Sequence, residues 1–162
     1  MSSATQTAVN SSFETLQPGV AINGLAFAVT RQTIRDFCDG SLDYNPLHLD
    51  DKYMEGSFGK TQFGGVIMHG MTNFGVLSRM LTDWLYPLGG IHRRLETRWR
   101  APVRPGDTIT PSAVITQKMQ TGSSRWVLLD VQIRNQNDAL IANGEAMVEF
   151  PHDLGASLSS AE

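Results

Sequence analysis

The chain has 162 residues, 41% of them hydrophobic and 8% aromatic, which is enough to bury a sizeable core within one domain. Its formal net charge of -3 argues against the basic footprint of a nucleic-acid binder. Its single cysteine, Cys38, excludes an intrachain disulfide and fits a reducing compartment. No apolar run reaches the roughly 18 residues of a membrane span. The N-terminus lacks the basic start and apolar stretch of a signal peptide. The expectation is a cytoplasmic protein with no nucleic-acid or membrane partner. The four histidines, at positions 48, 69, 92 and 152, show no zinc-ligand spacing, so no metal is expected.

Residues 1–12 are rich in Ser, Thr, Ala and Gln and read as a flexible N-terminal tail. Residues 153–162 read as a flexible C-terminal tail, leaving one domain over 13–152. Segment 20–29, VAINGLAFAV, predicts a first strand with Gly24 as a weak point or bulge. Thr30 is a good N-cap, and Ile34, Phe37 and Cys38 follow at helical spacing. A short amphipathic helix over 31–40 is expected, with Gly40 as its stop and Cys38 as buried packing.

The stretch SLDYNPLHLD, residues 41–50, leaves that helix. Pro46 opposes the helical region at Asn45, and Asn45 has the side chain to close a turn on its own backbone. Such a turn swings His48 back toward Asp43. Two readings are open here: the pair ties a loop together, or it holds a water and moves protons. Residues 56–65 carry four glycines and read as loop. After them Met71, Phe74, Leu77, Met80, Leu81, Trp84 and Leu85 recur at helical spacing, giving one long, buried helix ended by Pro87 and Gly89-Gly90. His69-Gly70 falls where loop becomes helix. A helix start presents free N–H groups and a positive dipole end, and a glycine there lets a ligand oxygen reach the backbone. That is a site for a developing oxyanion on a thioester carbonyl. His69 itself reads as a structural residue bonding loop backbone. Met68, Met71 and Met80 read as core or pocket lining, and Trp84, Trp99 and Trp126 as core or interface.

From residue 91 the period changes to two. Leu95, Thr97 and Trp99 alternate with Arg94, Glu96, Arg98 and Arg100. PGD at 105–107 turns the chain. Strands follow over 108–119, 124–134 and 139–150, with a hairpin turn at NQND, 135–138. Strands in succession after helices predict an α+β fold with an antiparallel sheet. Arg93, Arg94, Arg98, Arg100 and Arg104 crowd one strand and its turn; they form either a solvated face or contacts to phosphates.

The pattern D-Y-N-P-L-H at 43–48, followed by F-G-G-V-I-M-H-G-M at 63–71, resembles the hydratase motif of the MaoC-like, R-specific enoyl-CoA hydratase family. FETLQPGVAI at 13–22 and RAPVRPGDTI at 100–109 extend the resemblance over most of the chain. Leu42 departs from it, since many members have glycine there. The resemblance implies a hot-dog fold, in which a curved antiparallel sheet wraps one long helix. It implies reversible hydration of a trans-2-enoyl-CoA to the (R)-3-hydroxyacyl-CoA, with no cofactor and no metal. By it, Asp43 and His48 are the catalytic pair, Gly70 supplies the thioester-binding N–H, and Asn45 shapes the site; His69, from its own position at the helix start, is a second candidate for shaping it. Asp43 takes the water proton and His48 protonates C2, or the reverse. Arg94, Arg98 and Arg100 are candidates for the CoA phosphates. The expected partners are an acyl-CoA or acyl-carrier-protein thioester and a second copy of the chain, as a homodimer or higher homo-oligomer. Alternatives are a carrier-protein dehydratase, a hot-dog subunit of a heteromeric hydratase, and an acyl-CoA thioesterase. The presence of both Asp43 and His48 argues against a non-catalytic subunit.

Overall fold

The computed structural model describes residues 13–56, 63–122 and 124–150. The two expected tails, most of the glycine-rich loop and His152 lie outside the described residues. The elements run β1 (Ala21–Asn23), β2 (Phe27–Ala28), α1 (Arg31–Ser41), α2 (Pro46–Leu49), α3 (Asp51–Glu55), α4 (Gly70–Leu85), β3 (Ile91–Trp99), β4 (Thr108–Thr121), β5 (Ser124–Asn135) and β6 (Leu140–Glu149). The sheet order is β1-β4-β5-β6-β3, with β2 also on β4, and every pairing is antiparallel. The last three strands follow one another as hairpins, because period-two runs alternate with short polar turns. Along β5 the alternation leaves Val127, Leu129, Val131 and Ile133 buried.

The sheet packs around α4, the hot-dog arrangement. Leu77, Met80, Leu81 and Leu85 of α4 meet Ile109, Ile115, Leu129, Ile141 and Val148 of the strands in a single core. Each such buried side chain contributes roughly 1.5–3 kcal/mol, so the helix is held mainly by its inward stripe. Its own sequence is a mixed helix former, with glycine at 70 and 75. No helix among the described residues is long and apolar enough to cross a membrane.

Three sequence expectations are corrected by the structure. The first strand is two short pieces, because the chain breaks at Gly24. There an added Cβ would lie 2.6 Å from Pro111 Cγ and 2.9 Å from Met80 Cγ, so the backbone approaches strand and helix too closely for a side chain. Helix α1 does not stop at Gly40. It runs to Ser41 and ends on Leu42, which adopts φ 60° and ψ 21° while its N–H bonds the Cys38 carbonyl. That is the left-handed conformation glycine takes at little cost, so the departure from the family pattern falls on a backbone position that favours glycine. Finally, Met71 is 51% exposed rather than core, and Asn73 takes the inward position one turn before Leu77.

Candidate active site

The turn after α1 is built by its own side chains. Asp43 Oδ1 accepts from the Asn45 N–H at 3.2 Å, and Asn45 Oδ1 accepts from the Leu47 N–H at 3.2 Å. Asn45 thereby caps α2, with Pro46 at its first position, where the missing N–H costs nothing. These two local bonds set the path that places His48 on the inward side of α2, 8% exposed, while Asp43 stays exposed. The Asn45 side chain thus does the turn-closing work its sequence position predicts.

His48 Nδ1 donates to the Ile67 carbonyl at 2.7 Å. A carbonyl only accepts, so the proton of the neutral ring sits on Nδ1 and the lone pair on Nε2. Burial pushes the His48 imidazole below its ordinary value. The cation-disfavouring neighbour His69 adds to this, while the Ile67 bond and the Asp43 carboxylate oppose it. His69 stacks on His48 with ring centroids 3.6 Å apart and 24° between planes. Its Nε2 donates to the Asp43 backbone carbonyl at 3.0 Å, and Cys38 Sγ lies 3.6 Å from the same nitrogen. His69 is 2% exposed and its Nδ1 is buried with no partner among the described residues. This residue pins the Asp43 backbone to the start of α4. Burial, with Asp39 and Asp43 adding to it, pushes the Cys38 thiol up, which keeps it protonated and unreactive.

Helix α4 begins at Gly70 with His69 as N-cap, and no side chain caps it. The first N–H groups of a helix have no intrahelical acceptor, so the Gly70 N–H is open to a ligand. The Trp99 indole lies over Gly70: a Cβ there would sit 3.0–3.1 Å from three of its ring carbons. His48, Gly70 and Trp99 line one cavity of about 320 Å³, together with Met68, Asn73 and Arg100. Asp43, His48 and His69 each offer one ligand atom within 4.8 Å of the others. Across that distance one water can bridge the acid and the imidazole. The same three atoms are close enough to share a small cation, an arrangement the sequence spacing did not suggest.

Of the candidate arginines, Arg100 alone lines this cavity, with its Nε on Asn143 Oδ1 at 2.7 Å. Arg94 pairs with Glu96, and Arg98 lines a groove on the sheet with Glu96, Asp130 and Gln132. Arg93 pairs with Glu149, and Arg104 bonds the Phe63 carbonyl. The five arginines are therefore engaged with different neighbours, and Arg100 is the one of the three candidates beside the site among the described residues. A separate apolar cleft of about 360 Å³ lies between α1 and α4, walled by Phe27, Phe37, Val76 and Met80, and holds none of the candidate site residues. Trp99 and Asn73 line the cavity although the sequence marks neither as a site residue. Trp99 reads there as core or interface, and the signal for Asn73 is a polar residue four before Leu77 in an apolar stripe.

A family model described as MaoC like domain matches residues 15–135. The (R)-specific enoyl-CoA hydratase of Rhodospirillum rubrum is 33% identical over 104 residues, covering 64% of this chain and 69% of that protein. The (R)-specific enoyl-CoA hydratase of Aeromonas caviae is 32% identical over 111 residues, covering 68% of this chain and 78% of that protein. Among solved structures, the (R)-hydratase from A. caviae involved in PHA biosynthesis superimposes with a TM-score of 0.72 at 27% identity. That match covers 85% of this chain and 99% of the other.

Proposed function

The chain belongs to the MaoC-like domain family, and from that premise we propose that it is a hydro-lyase adding water reversibly to a trans-2-enoyl-CoA to give the (R)-3-hydroxyacyl-CoA. The observation that carries the proposal is convergence. Asp43 and His48 approach within 4.8 Å, and His48 shares a cavity with the uncapped helix start at Gly70.

The thioester carbonyl oxygen accepts the Gly70 N–H, at the positive end of the α4 dipole. Charge moves onto that oxygen as water attacks C3, so the donor binds the enolate-like transition state more tightly than the substrate. The Asp43 carboxylate and His48 Nε2 hold the two hydrogens of one water. The proton arithmetic selects between the two divisions of labour. If Asp43 were the base and His48 the acid, His48 would have to start as an imidazolium, which burial disfavours. A neutral His48 with its proton fixed on Nδ1 instead takes a proton from water at Nε2 as the C3–O bond forms. It then delivers that proton to C2 on the same face, while Asp43 orients the water and stabilises the transient imidazolium. Atoms balance with no cofactor: hydroxide ends on C3 and the proton on C2. General acid/base transfer of this kind contributes about 10²–10⁴-fold.

A homodimer is part of the same reading. β3 is a sheet edge paired only with β6 among the described strands, and it carries the 54%-exposed Trp99 beside the cavity.

The deciding experiment follows loss of the conjugated enoyl-thioester absorbance with crotonyl-CoA and a longer trans-2-enoyl-CoA. Wild type hydrates at least one of them, and Asp43→Asn and His48→Ala fold but are slowed at least about 100-fold. Activity that survives both substitutions removes the assignment. Release of free thiol in place of loss of the double bond makes the protein a thioesterase.

A further inference from the structure

Asn73 is an anomaly in the inward stripe of α4. It is 3% exposed, on the same face as Leu77 and Met80, and its Oδ1 is buried with no hydrogen-bond partner among the described residues. A polar group removed from water and left unpaired is a standing cost to the fold. Leucine would fill the position without that cost. Asn73 also lines the cavity that holds His48 and Gly70, and lies one helical turn beyond the Gly70 N–H. Apart from the proposed base His48, the other buried lining residues, Met68 and Val103, are apolar. Asn73 is therefore the one buried polar lining residue, among those described, that the hydration step leaves unused, just past the point where the thioester carbonyl is proposed to bind.

We propose that Asn73 is a specificity residue that hydrogen-bonds a neutral polar substituent, a hydroxyl or keto group, on the acyl part of the substrate. The proposal rests on the hydratase reading and narrows its substrate to polar-substituted enoyl thioesters. An amide both donates and accepts, so it pairs with either group. A carboxylate fits less well. Burying an anion requires a paired cation, and the cation of this cavity, Arg100, is exposed at the rim with its Nε committed to Asn143. The physical logic is that of a site built around a hydrogen bond: the partner-less analogue leaves the amide unpaired and is rejected.

The test compares trans-2-hexenoyl-CoA with its 5-hydroxy, 6-hydroxy and 5-keto derivatives, on wild type, Asn73→Leu and Asn73→Ser. The quantity read is the ratio of kcat/KM, polar to apolar. Wild type favours at least one polar derivative by about tenfold or more. Asn73→Leu lowers that ratio by about 10–100-fold, and Asn73→Ser recovers part of it. Without ligand, Asn73→Leu melts at a higher temperature than wild type, since an unpaired buried group is gone; a residue with a structural role would show the reverse. The same ratio in wild type and Asn73→Leu, or a wild-type preference for the apolar parent over every derivative, overturns the proposal. If wild type hydrates none of the four, Asn73 is judged by binding alone, and the hydratase reading itself fails when crotonyl-CoA is left unhydrated as well. The melting-temperature rise with 6-hydroxyhexanoyl-CoA exceeds that with hexanoyl-CoA in wild type and not in Asn73→Leu. Equal rises in both proteins refute the specificity role.

Discussion

Gly70→Ala separates the oxyanion role of the helix start from its structural role. The substitution adds one methyl at the first residue of α4. An ideal Cβ there would lie 3.0 Å from Trp99 Cε2 and 3.1 Å from Cδ2 and Cζ2, a few tenths of an ångström inside ordinary contact. Trp99 is 54% exposed on an edge strand, so the indole has room to shift. Alanine also gains up to about 1 kcal/mol of helix propensity over glycine, less at a terminal position. The two effects oppose each other, and the expected change in stability is within about 1 kcal/mol, or a few degrees in Tm for a chain of this size. Activity responds differently. The methyl enters the cavity beside the N–H that the thioester oxygen must reach. Loss of one oxyanion donor costs about 10²–10³-fold in kcat, and partial blockage here is expected to cost about 10–100-fold. The assay is enoyl-thioester absorbance with crotonyl-CoA, beside thermal melting and circular dichroism on the same samples. A folded Gly70→Ala with kcat within twofold of wild type refutes the assignment of the Gly70 N–H. A variant that loses more than about 3 kcal/mol refutes the packing argument, because Trp99 then does not yield.

Other outcomes follow from the same geometry. The His48 pKa is depressed in the folded protein, so kcat/KM stays level as pH falls past the ordinary histidine value of 6.5 and drops only below it; a pH profile that breaks above 6.5 contradicts the neutral-base division. The same depression means that the unfolded chain binds this proton more readily. The contribution of His48 to stability is therefore complete above pH 6.5 and is lost as pH falls toward the folded value. Urea melts should show this loss below pH 6.5 in wild type and a smaller one in His48→Gln, which lacks the group; the same pH dependence in both proteins would refute the depression. Leu42→Gly removes a left-handed non-glycine residue that is 77% exposed and packs little. It should raise stability by about 0.5–1 kcal/mol despite the added entropy of the unfolded chain, and a lower Tm would show that the conformation is not strained. Dialysis against EDTA should leave the hydration rate unchanged; a loss restored by one divalent cation would make Asp43, His48 and His69 its ligands.

How much of this was legible before folding depends on the range of each interaction. The Asp43–Asn45–Leu47 turn, the Thr30 cap and the start of α4 at His69-Gly70 rest on groups within a few residues of one another, and their side-chain chemistry is written locally. The antiparallel strands were equally legible, because alternation fixes which side chains face the core. Helix α1 runs one residue beyond the expected 31–40, to Ser41, and its left-handed cap falls on the exposed Leu42 and not on Gly40, because a glycine permits a helix stop without requiring one. Met71 faces outward against expectation and Asn73 inward because the helical period marks a stripe but not its absolute rotation against a sheet.

The sequence by itself determined the α+β class, the order of the long helix and the four strands after it, and the acid, imidazole and helix-start glycine on which the family resemblance rests; the short helices α2 and α3 were not legible in it. Only the tertiary structure decided that His69 stacks on His48, that Trp99 covers Gly70, that one arginine of five lines the cavity, and that Asn73 is buried beside it with its Oδ1 unpartnered among the described residues. The physical reason is separation along the chain. His69 meets Asp43 across 26 residues and Trp99 meets Gly70 across 29, so no local propensity encodes either contact. They exist because one sheet closes around one helix and brings the chain's distant segments to the same end of it.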